Sequence, residues 1–143
     1  MIRLATPNDS RTIAELAHDI RLDTVPFIHD VGGIEWYIVN ILMPRGSSHV
    51  YVLNDEVVAW ADIHDGWLDQ LYCKRGFTGK GIGLELLNFA KAKEPNGLQL
   101  WTFQVNSGAR AFYIREGLEE VELTDGSRNE EKQLDVRMEW RSP

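Results

Sequence analysis

Positive charge is the scarcer kind in this chain. Fifteen Lys and Arg stand against 22 Asp and Glu over 143 residues, a formal net charge of -7. Nucleic-acid surfaces select clustered Lys and Arg, so this balance argues against one. It is compatible with a cationic or amine ligand, although whole-chain charge does not describe a single cleft. Cysteine occurs once, at Cys73. That excludes an intrachain disulfide and fits a reducing compartment. No apolar run is long enough to cross a bilayer, and no charged-then-apolar leader opens the sequence. The expectation is a soluble, cytoplasmic protein. Repeats, low-complexity tracts and linkers are also missing, which points to one domain over residues 1–143, large enough to bury a core. His18, His29, His49 and His64 lack metal-ligand spacing, and no metal is expected.

What is present centres on residues 67–93. Trp67 to Cys73 has the apolar and aromatic content of a strand. Gly76, Gly79, Gly81 and Gly83 follow, and then Ile82, Leu86, Phe89 and Ala90 recur at helical spacing. Glycines let a backbone turn tightly and let an anion approach the main chain. A helix opening behind them offers unpaired N–H groups and the positive end of its dipole. Together these features predict a phosphate or pyrophosphate site. It is not a P-loop, because Gly79-Lys80 is followed by Gly81 and position 74 is Lys74. Nor is it a dinucleotide fingerprint, because the third glycine position is Leu84 and the turn lies in mid-chain.

The rest of the chain supplies alternating elements. Ile2 to Ala5 reads as a strand, and Thr6-Pro7-Asn8-Asp9 as a helix start, with Thr6 as N-cap. Ile13, Leu16, Ala17 and Ile20 give that helix one apolar face. Asp23 to Gly33 reads as a connection, and Ile34, Ile38, Ile41 and Leu42 as a second helix ending near Pro44-Arg45-Gly46. Strands are expected at His49–Leu53, Val57–Ile63, Leu98–Val105, Leu118–Leu123 and Leu134–Trp140, with a helix at Ser107–Glu116. The order β-α-α-β-β-β-α-β-α-β-β is mixed α/β.

Two motifs carry a family resemblance. Thr78-Gly79-Lys80-Gly81-Ile82-Gly83 is similar to the acyl-CoA pyrophosphate loop of the GNAT N-acetyltransferase superfamily, Gln/Arg-x-x-Gly-x-Gly/Ala, with Thr in the first position. Asn106-Ser107-Gly108-Ala109-Arg110-Ala111-Phe112-Tyr113-Ile114-Arg115-Glu116-Gly117-Leu118 resembles that family's Asn-x-x-Ala-x-x-Phe-Tyr-x-x-x-Gly-Phe, with Leu in the last position. The chain also resembles a small single-domain bacterial subgroup through Trp67–Tyr72, Leu100–Gln104, Glu122–Glu131 and Asp135–Arg137. The resemblance implies a central mixed sheet of about seven strands with helices on both faces. It also implies that strands four and five, Trp67–Cys73 and Leu98–Val105, splay into a wedge for acetyl-CoA. An amine acceptor, from a small molecule or a protein, and possible homodimers are implied as well. A non-catalytic acyl-CoA sensing domain of the same fold is the alternative.

The implied chemistry is direct attack of a neutral amine on the thioester. Leu71, Cys73, Thr78, Gly79, Lys80, Gly81, Ile82, Gly83, Leu84, Asn106, Ala109 and Tyr113 are the candidate cofactor contacts. The Cys73 backbone N–H is the candidate oxyanion donor, and Tyr113 the candidate acid for the leaving thiolate. A phenol near ~10 and a thiol near ~8.5 make that transfer mildly uphill. Asp69 is the candidate base, counted onto the face of Leu71 and Cys73 by the strand's period of two. It reads equally well as a substrate anchor or a solvent-facing charge. His29, Asp30, Asp62 and Trp101 are candidates for the acceptor cleft. Glu130, Glu131 and Asp135 read mainly as a solvated loop.

Overall fold

A computed structural model describes residues 1–23 and 29–143. Its elements follow from local signals. Strand β1, Ile2–Leu4, runs into a short 3-10 turn, Pro7–Asp9. There Thr6 and Asp9 form a reciprocal capping box, and Asp9 also takes two bonds from Arg3 at 2.8 and 3.0 Å. Helix α1, Ser10–Arg21, buries Ile13, Leu16 and Ala17 as its spacing predicts. Helix α2, Val31–Tyr37, continues through a π-helical turn, Ile38–Leu42, into α3, Met43–Arg45, which stops at Gly46 in the left-handed region. Then come β2 Ser48–Leu53, β3 Glu56–His64, β4 Trp67–Cys73, α4 Ile82–Lys93, β5 Leu98–Phe103, α5 Ser107–Arg115, β6 Glu119–Leu123 and β7 Asp135–Trp140.

Most strand ends lie within one residue of the sequence reading, and two of the larger shifts have identifiable causes. The second helix begins at Val31 rather than after Gly33, because the Asp30 side chain accepts the Gly33 N–H at 2.7 Å and offsets the poor helix propensity of two glycines. Pro26, placed in the preceding connection, lies outside the described residues. Strand β5 ends at Phe103 rather than Val105, where the Phe103 carbonyl accepts the Asn106 N–H and turns the chain into α5.

The seven strands form one sheet in the order β1-β2-β3-β4-β5-β7-β6. Neighbours are antiparallel except β4 and β5, which are parallel and bridge only at Trp67 and Gln99. Helices cover both faces, as expected. On one face Ile82, Leu86, Leu87 and Ala90 of α4 and Tyr113 of α5 pack on Ala61, Leu68, Leu100 and Val136. On the other, Ile13, Ala14 and Ala17 of α1 and Ile38 and Leu42 pack on Val50 and Trp60. Each fully buried aliphatic side chain here contributes about 1.5–3 kcal/mol of transfer free energy. Among the described residues, no helix is long and apolar enough to cross a membrane.

Candidate active site

The single bridge between β4 and β5 leaves the two strands apart toward their C-terminal ends. On the β3 side, the Lys74 N–H donates to the Val58 carbonyl at 2.8 Å, and Ala59 and Ala61 pair with Cys73 and Leu71. In an antiparallel ladder the bonding direction alternates, so the N–H groups of Leu71 and Cys73 turn away from β3 and toward β5. A cavity of about 1200 Å³ opens in this gap.

One end of the cavity is the glycine turn. Gly79 and Gly81 sit at φ 74° and 84°, where a side chain is strained, and a Cβ on either would meet nothing within 4 Å. Gly81 is the N-cap of α4, and no side chain bonds the helix's first N–H groups. Among the described residues the turn thus combines amides with no side-chain acceptor, open space and the positive end of a 12-residue helix, the features an anion site needs. Thr78, Gly79, Gly81, Gly83 and Leu84 line the cavity. Lys80 instead sits over the Phe77 ring, 5.6 Å from its centroid, and the Ile82 side chain belongs to the core.

Across the gap stands α5. Asn106 caps it, with Oδ1 accepting the Ala109 N–H at 3.1 Å. Both residues line the cavity with Tyr113, whose ring is only 7% exposed. Burial, and next the neighbouring Tyr72, push its phenol well above the ordinary tyrosine value. The leaving-group proton transfer is thus further uphill than two unperturbed groups suggest. Cys73 lines the cavity too, and burial pushes its thiol up, which disfavours a nucleophilic thiolate.

Asp69 faces differently from the period-two reading. Ile63 pairs with Leu68 and Asp62 with Gln70, so Asp69 is the extra residue of a β-bulge. Leu71 and Cys73 pack on the α4 face, whereas Asp69 Oδ2 lies 3.4 Å from His64 Nε2 and 3.5 Å from Arg45 on the face of Asp62. It still lines the cavity. Burial raises the Asp69 carboxyl above the usual carboxylate range, and Asp62 adds to this, while His64 and Arg45 pull it down.

Asp62 does not open onto the cleft. It is 0% exposed and accepts bonds from Arg45 at 2.9 Å, Ser47 at 2.9 Å and Ser48 at 2.7 Å. A buried carboxylate with this many donors is an anchor for the end of α3 rather than a ligand contact. Trp101, 43% exposed, does line the cavity beside Thr102. His29 is paired with Glu130 at 2.7 Å and is not part of the cavity wall, and Asp30 is taken up by the α2 cap.

Residues outside the motifs complete the wall. Arg21, at the end of α1, donates to the Tyr72 hydroxyl at 3.1 Å and lies 3.7 Å from Glu131. The segment 124–134 is a bonded structure, not a solvated loop. Gln104 holds the carbonyls of Thr124 and Asp135 at 3.0 and 2.9 Å, and Asn129 donates to Asp135 at 3.0 Å. Thr124 also bonds Asp135. Thr124, Arg128, Asn129, Glu131 and Asp135 thereby reach the cavity. The available signal was Thr, Asn and Asp at both ends of the loop, residues that close turns with their side chains.

A family model described as an acetyltransferase (GNAT) domain matches residues 46–120, more than half of the chain. An uncharacterised N-acetyltransferase of Methanocaldococcus jannaschii is 35% identical over 80 residues, 53% of this chain and 33% of that protein. The chain thus spans about a third of the length of that relative. Similar solved structures include apo-form YjaB from Escherichia coli, with TM-score 0.79, 17% identity, and 100% of this chain and 98% of that one covered. An N-acetyltransferase from Staphylococcus aureus Mu50 gives TM-score 0.80 at 15% identity, covering 97% of this chain and 99% of that one. The PaiA N-acetyltransferase from Thermoplasma acidophilum, in complex with coenzyme A, gives 0.69 at 24%, covering 99% and 98%. With its splayed parallel strands, its glycine turn on a helix N-terminus and the match through residues 46–120, the chain belongs to the GNAT acetyltransferase family.

Proposed function

We propose that this protein is an acetyl-CoA-dependent N-acetyltransferase, acting as one domain over residues 1–143, that passes the acetyl group directly to an amine of a small molecule or protein. The observation that carries this reading is the wedge itself. A parallel strand pair joined at Trp67 and Gln99 opens toward a helix N-terminus whose glycine N-cap offers no side chain, with Tyr113 lining the gap. The complex of PaiA with coenzyme A, a structure of the same fold, adds support for coenzyme A as the ligand class.

The amides around Gly79 to Leu84 fit a diphosphate, because nothing occupies the space in front of them. Leu71 and Cys73 turn free amides toward a ligand lying along β4, and the Cys73 N–H serves the developing oxyanion. Asp69, its proton affinity raised by burial, takes the proton of the attacking amine. Tyr113 donates to the sulfur as the carbon–sulfur bond breaks, so free coenzyme A leaves as the thiol. Trp101 lines the acceptor side of the cavity.

Melting curves with acetyl-CoA and with ATP test the ligand, and thiol release across an amine panel tests turnover. Stabilisation by acetyl-CoA and not by ATP, with amine-dependent thiol release, is the expected result. Stabilisation without turnover for any amine supports the sensing alternative. Stabilisation by ATP alone overturns the reading.

A further inference from the structure

The turn after β3 and the bulge in β4 bring a second titratable side chain against Asp69. Asp65 and Gly66 form a two-residue turn at φ 50° and 82°, which sets His64 opposite Trp67. Because the bulge puts Asp69 on the His64 face, Nε2 of His64 lies 3.4 Å from Asp69 Oδ2. The other ring nitrogen lies 3.3 Å from Asp65 Oδ2, buried and without an aligned hydrogen-bond partner. Asp65 is 91% exposed. These three side chains form a line from the cavity wall to solvent. The other charged groups facing it, among the described residues, are Asp62 of β3 and Arg45 of α3, which touches both Asp62 and Asp69.

We propose that His64 is a positioning residue for the transfer, accepting the acceptor's proton from Asp69 and passing it to Asp65 and the solvent. The inference rests on the proposed role of Asp69 as base. As the amine nitrogen bonds to the thioester carbon, one N–H proton passes to the Asp69 carboxylate. The resulting acid gives that proton to Nε2, and the buried Nδ1 releases its own to Asp65, so the ring returns to neutral as the other tautomer and exchanges its proton before the next turnover. The phenolate left when Tyr113 protonates the sulfur regains a proton from water, which balances the one released through the relay, so no charge accumulates. The Asp69 side chain is 37% exposed, so cavity water competes with His64 for the proton, but its other charged neighbours do not. Arg45 cannot release a proton, and Asp62 is saturated by three donors. Imidazole is the side chain suited to exchange protons near neutral pH.

One measurement decides it, thiol release with acetyl-CoA and n-butylamine. His64→Gln should lose on the order of tenfold to a hundredfold in kcat, with KM for acetyl-CoA unchanged and added imidazole restoring much of the rate. Stabilisation by acetyl-CoA in the melting curve shows that this variant is folded. Asp65→Asn should also lose rate, since Asp65 is the acceptor beside the buried Nδ1. A His64→Gln rate equal to wild type overturns the relay, and so does a loss that imidazole does not rescue. If Asp69→Asn turns over normally, the base reading falls and the relay with it. If Asp69→Asn is inactive while His64→Gln is unaffected, only the relay falls.

Discussion

Burial raises the proton affinity of both Tyr113 and Asp69, with opposite consequences. The phenol becomes a weaker acid but stays protonated at every working pH, so its hydrogen is always available to a sulfur gaining charge. The carboxylate becomes a stronger base. Removing the hydroxyl alone should therefore touch chemistry and little else. Tyr113→Phe is expected to keep the melting temperature and the acetyl-CoA affinity while losing about a hundredfold or more in kcat. Equal thiol-release rates in the two proteins would remove the phenol from the mechanism.

Asp69 also leaves a signature in stability. Its folded-state pKa lies above that of the unfolded chain, so the folded state holds the proton more tightly. The stabilising contribution is whole below about pH 3.9, the ordinary Asp value, and is lost as pH rises through the raised value. Asparagine mimics the protonated acid throughout. Asp69→Asn should melt above wild type at pH 7, and the gap should close on acidification toward pH ~4. Calorimetry across that range checks it, and a wild type that melts higher at pH 7 contradicts the desolvation argument.

At the scale of elements, the signals that survived from sequence to structure were local ones. Strand β4 has the predicted ends, because an Asp65-Gly66 turn and a glycine run bracket it. The capping roles of Thr6 and Asn106 held because each needs a partner only three residues away. What was not legible depended on distant partners. The bulge that moves Asp69 to the other face is a mismatch between two strands, and neither strand's own pattern records it. Likewise, Asp62 looks like any strand carboxylate until Arg45, Ser47 and Ser48 close around it. The loop of residues 124–134 became a cavity wall through Gln104 and Asn129, and Gln104 is 20 and 31 residues away from the carbonyls it holds.

The glycine turn gives an element-level prediction that separates backbone strain from ligand loss. Gly81→Ala meets no neighbour but must hold φ at 84°, a cost of about 1–2 kcal/mol. Gly81→Glu carries the same strain and adds a carboxylate in front of the α4 N-terminus. Both should melt lower than wild type, with only the alanine variant keeping some stabilisation by acetyl-CoA. A glutamate variant that is stabilised as strongly as wild type would place the diphosphate elsewhere.

At the scale of the molecule, the sheet consists of two halves, β1–β4 and β5–β7, that share one backbone bridge. Each half has its own ladder, and the core on the α4 face runs across both. The amides of Leu71 and Cys73 therefore lie at an interruption, facing a strand too far away to bond them. Hydrogen exchange at these two positions should be fast in the free protein and slow sharply when acetyl-CoA is added. Unchanged exchange there would mean that the ligand does not lie along β4.

That interruption gives a bound molecule a second part to play. Whatever lies in the gap supplies the rungs that β5 withholds and joins the two halves of the ladder along its middle. On the proposed reading the substrate finishes the architecture that transforms it, and each turnover ends with the sheet unzipped again at its centre.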